Sequence, residues 1–175
     1  TKKLAHLGKL RSGSLVEEKT RKRAIELGAG NPRLLEWLNR ILADGAADAT
    51  VIMDAMDREA DRFREEVLLL ELLSQLPQDC RRVIALASIY ALPFGRQAIE
   101  AAVDGPLDPH LARSVSLGLV EEGTAPATAR SRYFVSRIML PLVEPETTIE
   151  EKTEAGRRAA NHLYQALWKV DAISG

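Results

Sequence analysis

A chain of 175 residues, 46% apolar and 28% charged, has the composition of a globular protein large enough to bury a sizeable core. Its single cysteine, Cys80, excludes an internal disulfide and a cysteine-ligated metal cluster. No apolar stretch reaches the ~18–20 residues of a membrane span, and no signal peptide is recognisable, so a cytoplasmic setting is expected.

The net charge of −1 conceals an asymmetry. Residues 1–45 carry ten Lys/Arg against five Asp/Glu, and residues 46–75 carry three against eight. Two neighbouring helical layers of opposite sign are expected, and the basic one could also face phosphates. Aromatics are only 5% and the apolar mass is Leu, Ala, Ile and Val in helical spacing, so the chain reads as mainly α.

In chain order, residues 1–11 form a short helix by the spacing of Leu4, Leu7 and Leu10. Ser14 and Glu17 make a capping-box pattern opening a helix that runs to about Leu27. Ala24 and Leu27 face inward on it, and Lys19, Arg21, Lys22 and Arg23 make a basic run. Then comes Gly28-Ala29-Gly30-Asn31-Pro32-Arg33. The glycines can end the first helix in the left-handed conformation, Asn31 is a strong N-cap, and Pro32 suits the first turn of the next helix. That helix runs to Asp44, with Leu34, Leu38, Ile41 and Leu42 on one stripe and Gly45 as terminator. Arg33 is thereby placed near a helix start, in a tight turn that can serve either as a ligand platform or as a plain corner, with Arg33 in the second case paired to an acid of the 46–75 segment.

Asp48 caps a further helical stretch, and Val67–Leu73 is apolar nearly all round, as expected of a turn buried on several sides in a connecting helix. Pro77 opens a helix carrying Val83, Ile84, Leu86, Ala87 and Tyr90, stopped by Pro93. A second spans about 96–103, and a third, capped by Asp108, about 109–117. Residues 119–123 and 131–135 then read as a β-hairpin with a long tip. Three helices and a hairpin make a winged-helix layout. After a break at Glu144-Pro145-Glu146, a helix over 148–173 is expected to bury Ala160, Leu163, Leu167 and Val170, with Gly156 on the same face.

Gly30-Asn31-Pro32-Arg33-Leu34-Leu35 followed by an amphipathic helix resembles the lid motif of STAND-type signalling ATPases, the AAA+ relatives that include NB-ARC and NACHT proteins. The order lid bundle then winged helix, with Leu117-Gly118-Leu119-Val120-Glu121-Glu122 and Tyr133-Phe134-Val135-Ser136-Arg137-Ile138-Met139 at the hairpin, is similar to the same family over roughly 14–143. The resemblance implies nucleotide-binding roles for Gly30, Pro32 and Arg33, with the proline near adenine and the arginine approaching the terminal phosphates. It implies ATP or ADP as ligand only together with an upstream nucleotide-binding domain absent from this chain. It also implies a helical sensor array downstream, of which the last segment resembles the first helix. Because the chain begins at Thr1, it reads as a fragment of such a parent.

Chemistry of its own is not expected. The sequence holds no Gly-x-x-x-x-Gly-Lys-[Ser/Thr] phosphate loop, and without that cradle and a magnesium site phosphoryl transfer lacks its main electrostatic stabilisation. No catalytic residue is assigned, although the parent could be an ATPase. His6, His110 and His162 lack ligand spacing, so no metal site is assigned; Cys80 is read as a passive thiol. Ser114 and Ser116 lack a base, and Trp37 and Trp168 are read as packing residues. The rival function is DNA binding by the winged helix. Residues 95–143 carry five Arg, no Lys and five acids, too little positive charge for a phosphate backbone, so DNA is disfavoured as a partner and protein contact preferred. A helical interaction domain is the third alternative. The expected organisation is a helical lid bundle over 1–47, connecting helices over 48–77, a winged-helix domain over 78–143 and a C-terminal helix over 144–175.

Overall fold

The computed structural model describes residues 18–124 and 130–171. The expected helix over 1–11, the Ser14–Glu17 capping box and most of the hairpin tip lie outside them. The chain is mainly helical with one two-stranded antiparallel sheet, and it divides into two compact units, Thr1–Leu76 and Pro77–Gly175.

The first unit contains α1 (Glu18–Gly28), α2 (Pro32–Asp44), α3 (Ala49–Asp57) and α4 (Arg64–Ser74), the last preceded by a 3-10 turn at Asp61–Phe63. Local signals set two of these helix starts. The Asn31 carboxamide oxygen accepts from the backbone N–H groups of Arg33 and Leu34, and the Asp48 carboxylate accepts from those of Thr50 and Val51, satisfying donors that a helix start leaves without intrahelical partners. Gly45 ends α2 in the left-handed conformation, φ 72°. The end of α4 is tied to the start of α3 by the Gln75 amide, which accepts from Asp48 N at 2.7 Å. Leu27, Leu38, Ile41, Ile52, Met56, Leu69 and Leu72 form the core, each fully buried large side chain contributing about 1.5–3 kcal/mol. α4 is more one-sided than its composition suggests. Leu68, Leu69, Leu72 and Leu73 are buried, but Leu70 is 46% exposed. Segment 48–77, expected as a connector, packs largely as α3 against α4 inside this unit.

The second unit opens with α5 (Gln78–Ala87), α6 (Arg96–Ala102) and α7 (His110–Ser116), followed by β1 (Val120–Thr124) and β2 (Ser131–Val135). The strands pair in register from Val120 opposite Val135 to Thr124 opposite Ser131. Phe94 adds a bridge to Tyr133, exchanging both backbone hydrogen bonds at 2.8 and 3.0 Å. This is the expected order of three helices and a hairpin. Two details differ from expectation. α5 ends at Ala87, before Tyr90, whose hydroxyl instead donates to Ala98 O at 2.7 Å, so this residue joins α5's exit to α6. Asp108 does not cap α7, where Pro109 holds the N-cap position without a side-chain bond; its carboxylate pairs with Arg96.

A 3-10 turn (Arg137–Met139), the short α8 (Leu140–Val143) and a second 3-10 turn (Glu144–Glu146) lead to α9 (Ile149–Asp171). α9 packs on α6 within this unit. The face it buries there is Ala155 and Ala159, while Ala160 and Leu163 are exposed. The first half of the expected stripe is thus displaced, because small residues let α9 approach α6 closely and the bulkier Leu163 does not take that contact; the side chains of Leu167 and Val170 lie outside the described residues. Arg158 donates to the last carbonyls of α6, Ala101 O at 3.2 Å and Ala102 O at 2.8 Å. Arg81 pairs with Glu146 at 2.8 Å and Arg82 with Glu151 at 3.2 Å, fastening the same segment to α5. No described helix is long and apolar enough to cross a membrane.

Candidate functional site

The turn between α1 and α2 divides its labour differently from the expectation that both glycines would supply left-handed backbone. Gly28 closes α1 as a buried residue, and a Cβ built there would lie 2.1 Å from Leu35 Cδ2. Its role is close approach of α2. The left-handed positions are Ala29, φ 44°, and Gly30, φ 82°. An L residue at Ala29 is strained there, and Gly30 takes the following position without a Cβ penalty. Asn31 N donates to Gly28 O at 2.7 Å, closing the corner, and Leu35 N donates to Asn31 O at 3.1 Å.

Gly30, Pro32 and Arg33 are therefore brought together on an exposed corner. Pro32 occupies the first helical position, where its missing N–H is no loss. Arg33 lies over the ring of Trp37, 4.7 Å from its centroid, and Trp37 is itself 3% exposed and part of the core. This cation–π shelf fixes the guanidinium one turn along the helix from its own backbone. The Arg33 Nε also lies 3.8 Å from Glu65 Oε1 on α4. The opposite charge of the 46–75 segment thus reaches Arg33 directly. Beside the corner, Arg64 Nη1 approaches Leu27 O at 3.4 Å and pairs with Asp61 at 2.8 Å, whereas its buried Nε has no partner.

The basic run on α1 is partly engaged. Arg23 clasps Asp57 and Asp54, the latter at 2.6 Å, linking α1 to α3; these two carboxylates, Asp57 foremost, raise its pKa further. The charge asymmetry makes an acid of the 46–75 segment an expected partner for Arg33, but which acid it is, Glu65, depends on tertiary placement across 32 positions and is not legible in the sequence.

Elsewhere, polar groups are absorbed by structure. Cys80 is buried, burial pushes its thiol pKa up, and its Sγ lies 3.4 Å from Ser114 Oγ. Ser114 is fully buried and donates to His110 O at 2.8 Å, so it offers no accessible nucleophile. Arg96 is held between Asp108 and Glu100, Asp108 being the stronger influence, which keeps it protonated. α7, the helix that would read DNA, exposes Ala112 and Ser116. A groove of about 330 Å³ in this unit is lined mainly by apolar residues, Ile89, Leu140 and Val143 among them, with Ser88 and the Glu144–Lys152 pair as its polar side chains. Among the described residues no group of three or more His, Cys, Asp or Glu could hold a metal ion. Comparisons with family models, curated proteins and solved structures return no match.

Proposed function

We propose that this chain is the lid and winged-helix portion of a STAND-type signalling ATPase, regulatory and not catalytic by itself. The observation that carries the reading is the exposed Gly30-Asn31-Pro32-Arg33 corner, with Arg33 seated on a buried tryptophan at a capped helix start. In this reading Pro32 packs against adenine and Arg33 meets the terminal phosphates, both supplied by an upstream nucleotide-binding domain of the same parent chain. A guanidinium suits the role because its planar fork matches phosphate oxygens bidentately. Nucleotide then shifts the equilibrium between closed and open states by its differential affinity for them. The second unit serves as protein-contact and hinge element, and α9 leads into downstream sensor repeats. The setting is cytoplasmic.

DNA binding is the weaker reading on charge. Arg81, Arg82 and Arg96 are each committed to carboxylates, and a phosphate contact by any of them must first break that pair. The test is nucleotide content of the complete gene product, extracted from wild type, Pro32→Ala and Arg33→Ala. Wild type should carry ADP or ATP and both variants should lose it. An empty wild type, or equal retention by the variants, reduces the corner to a structural one.

A further inference from the structure

We infer that Glu65 is a built-in competitor for the phosphate-reading arginine, so that the lid engages nucleotide only after Arg33 leaves this carboxylate. The inference rests on the nucleotide-lid reading and adds its regulation. Three observations carry it. The Arg33–Glu65 approach is 3.8 Å, longer than a hydrogen bond, with the side chains 42% and 26% exposed. A contact of that length and exposure is weak, worth at most about fivefold in an equilibrium. The arginine nonetheless has a rigid seat, because Trp37 beneath it is buried and belongs to the core. Finally, Asn31 already occupies the N–H groups of Arg33 and Leu34, so an anion arriving at the helix start meets the guanidinium before it meets the backbone.

A carboxylate and a phosphate cannot both pair with the same N–H edge of one guanidinium, and Glu65 lies at the Nε edge of Arg33. Glu65 therefore raises the nucleotide concentration at which the lid closes, and movement of α4 away from α2 lowers it. That couples the lid to anything that displaces α4, without a change at the nucleotide itself.

The test is a double-mutant cycle on the complete gene product, with ADP and ATP binding measured by calorimetry. Glu65→Gln should tighten binding about two- to fivefold, Glu65→Asp less, and Glu66→Gln, which removes the same charge from the adjacent exposed position, by under half as much. In an Arg33→Ala background the Glu65→Gln gain should vanish, because the competition acts only through that guanidinium. If Arg33→Ala weakens binding but Glu65→Gln leaves wild-type affinity unchanged, or its gain persists without Arg33, the competitor role is overturned and the lid reading survives. If wild type and Glu65→Gln both fail to bind nucleotide, the lid reading fails and this inference with it.

Discussion

The two units start their helices by different means. In the first, α2 and α3 carry side-chain caps from Asn31 and Asp48 and Gly45 closes α2 in the left-handed region, while α4 starts at Phe63 without one. In the second, α5, α6 and α7 begin at Pro77, Gly95 and Pro109 with no side-chain cap. What holds that unit's elements is long-range. Tyr90 bonds α6, Phe94 bridges Tyr133, and Arg81, Arg82 and Arg158 fasten the C-terminal segment. The Asn31 cap defines the start of α2 through backbone N–H groups, and the Arg33 side chain is engaged elsewhere, over Trp37 and beside Glu65. Boundaries set by tertiary contacts commit the arginines that make them. Carboxylates engage cations in both units, Arg23, Arg40 and Arg64 in the first as Arg81, Arg82 and Arg96 in the second, and what sets Arg33 apart is its place at a capped, exposed corner.

The sharpest challenge to the contrast is Gly28, a residue in the locally punctuated unit whose role is tertiary. Gly28→Val forces Leu35 out of its place and should cost about 1–3 kcal/mol by overpacking, read as a lower midpoint in urea. A neutral result would mean that the α1–α2 contact is loose and the corner not rigid. A smaller loss, about 0.5–2 kcal/mol, is expected for Asn31→Ala or Asp48→Ala. If both fall below about 0.3 kcal/mol, packing alone sets these helix starts and the two units do not differ in kind.

The smallest effect separates the exception inside the second unit. α9 opens with a reciprocal capping box, Thr148 Oγ1 accepting from Glu151 N at 3.1 Å and Glu151 accepting from Thr148 N at 3.0 Å. The Thr148 backbone N–H first, and Arg82 second, hold the Glu151 carboxylate below its ordinary range; Arg157 does the same for Glu154. A depressed folded-state pKa stabilises above the unfolded value, near 4.3, and that contribution is lost as pH falls through the folded value. Amide protection in the first turns of α9 should therefore drop below about pH 4, and Glu151→Gln should flatten that dependence. Both carboxylates are exposed, so a shift confined to these amides is expected, with the global midpoint nearly unmoved.

What the sequence alone determined was what depends on near neighbours. The Asn31-Pro32 start and Gly45 stop of α2, the Asp48 cap, the hairpin's two strands and the predominance of helix all follow from residues a few positions apart. The Thr148-x-x-Glu151 box is equally legible in the letters. Only the tertiary structure decided which face of α9 is buried, since Ala155 and Ala159 win through the close approach of α6 and not through hydrophobicity. It also decided that Asp108 serves Arg96, that Gly28 is for packing while Ala29 takes the left-handed backbone, and that Arg33 faces Glu65 from above Trp37. Each of these joins partners whose proximity is set by how one helix lies across another, and no local periodicity carries that information.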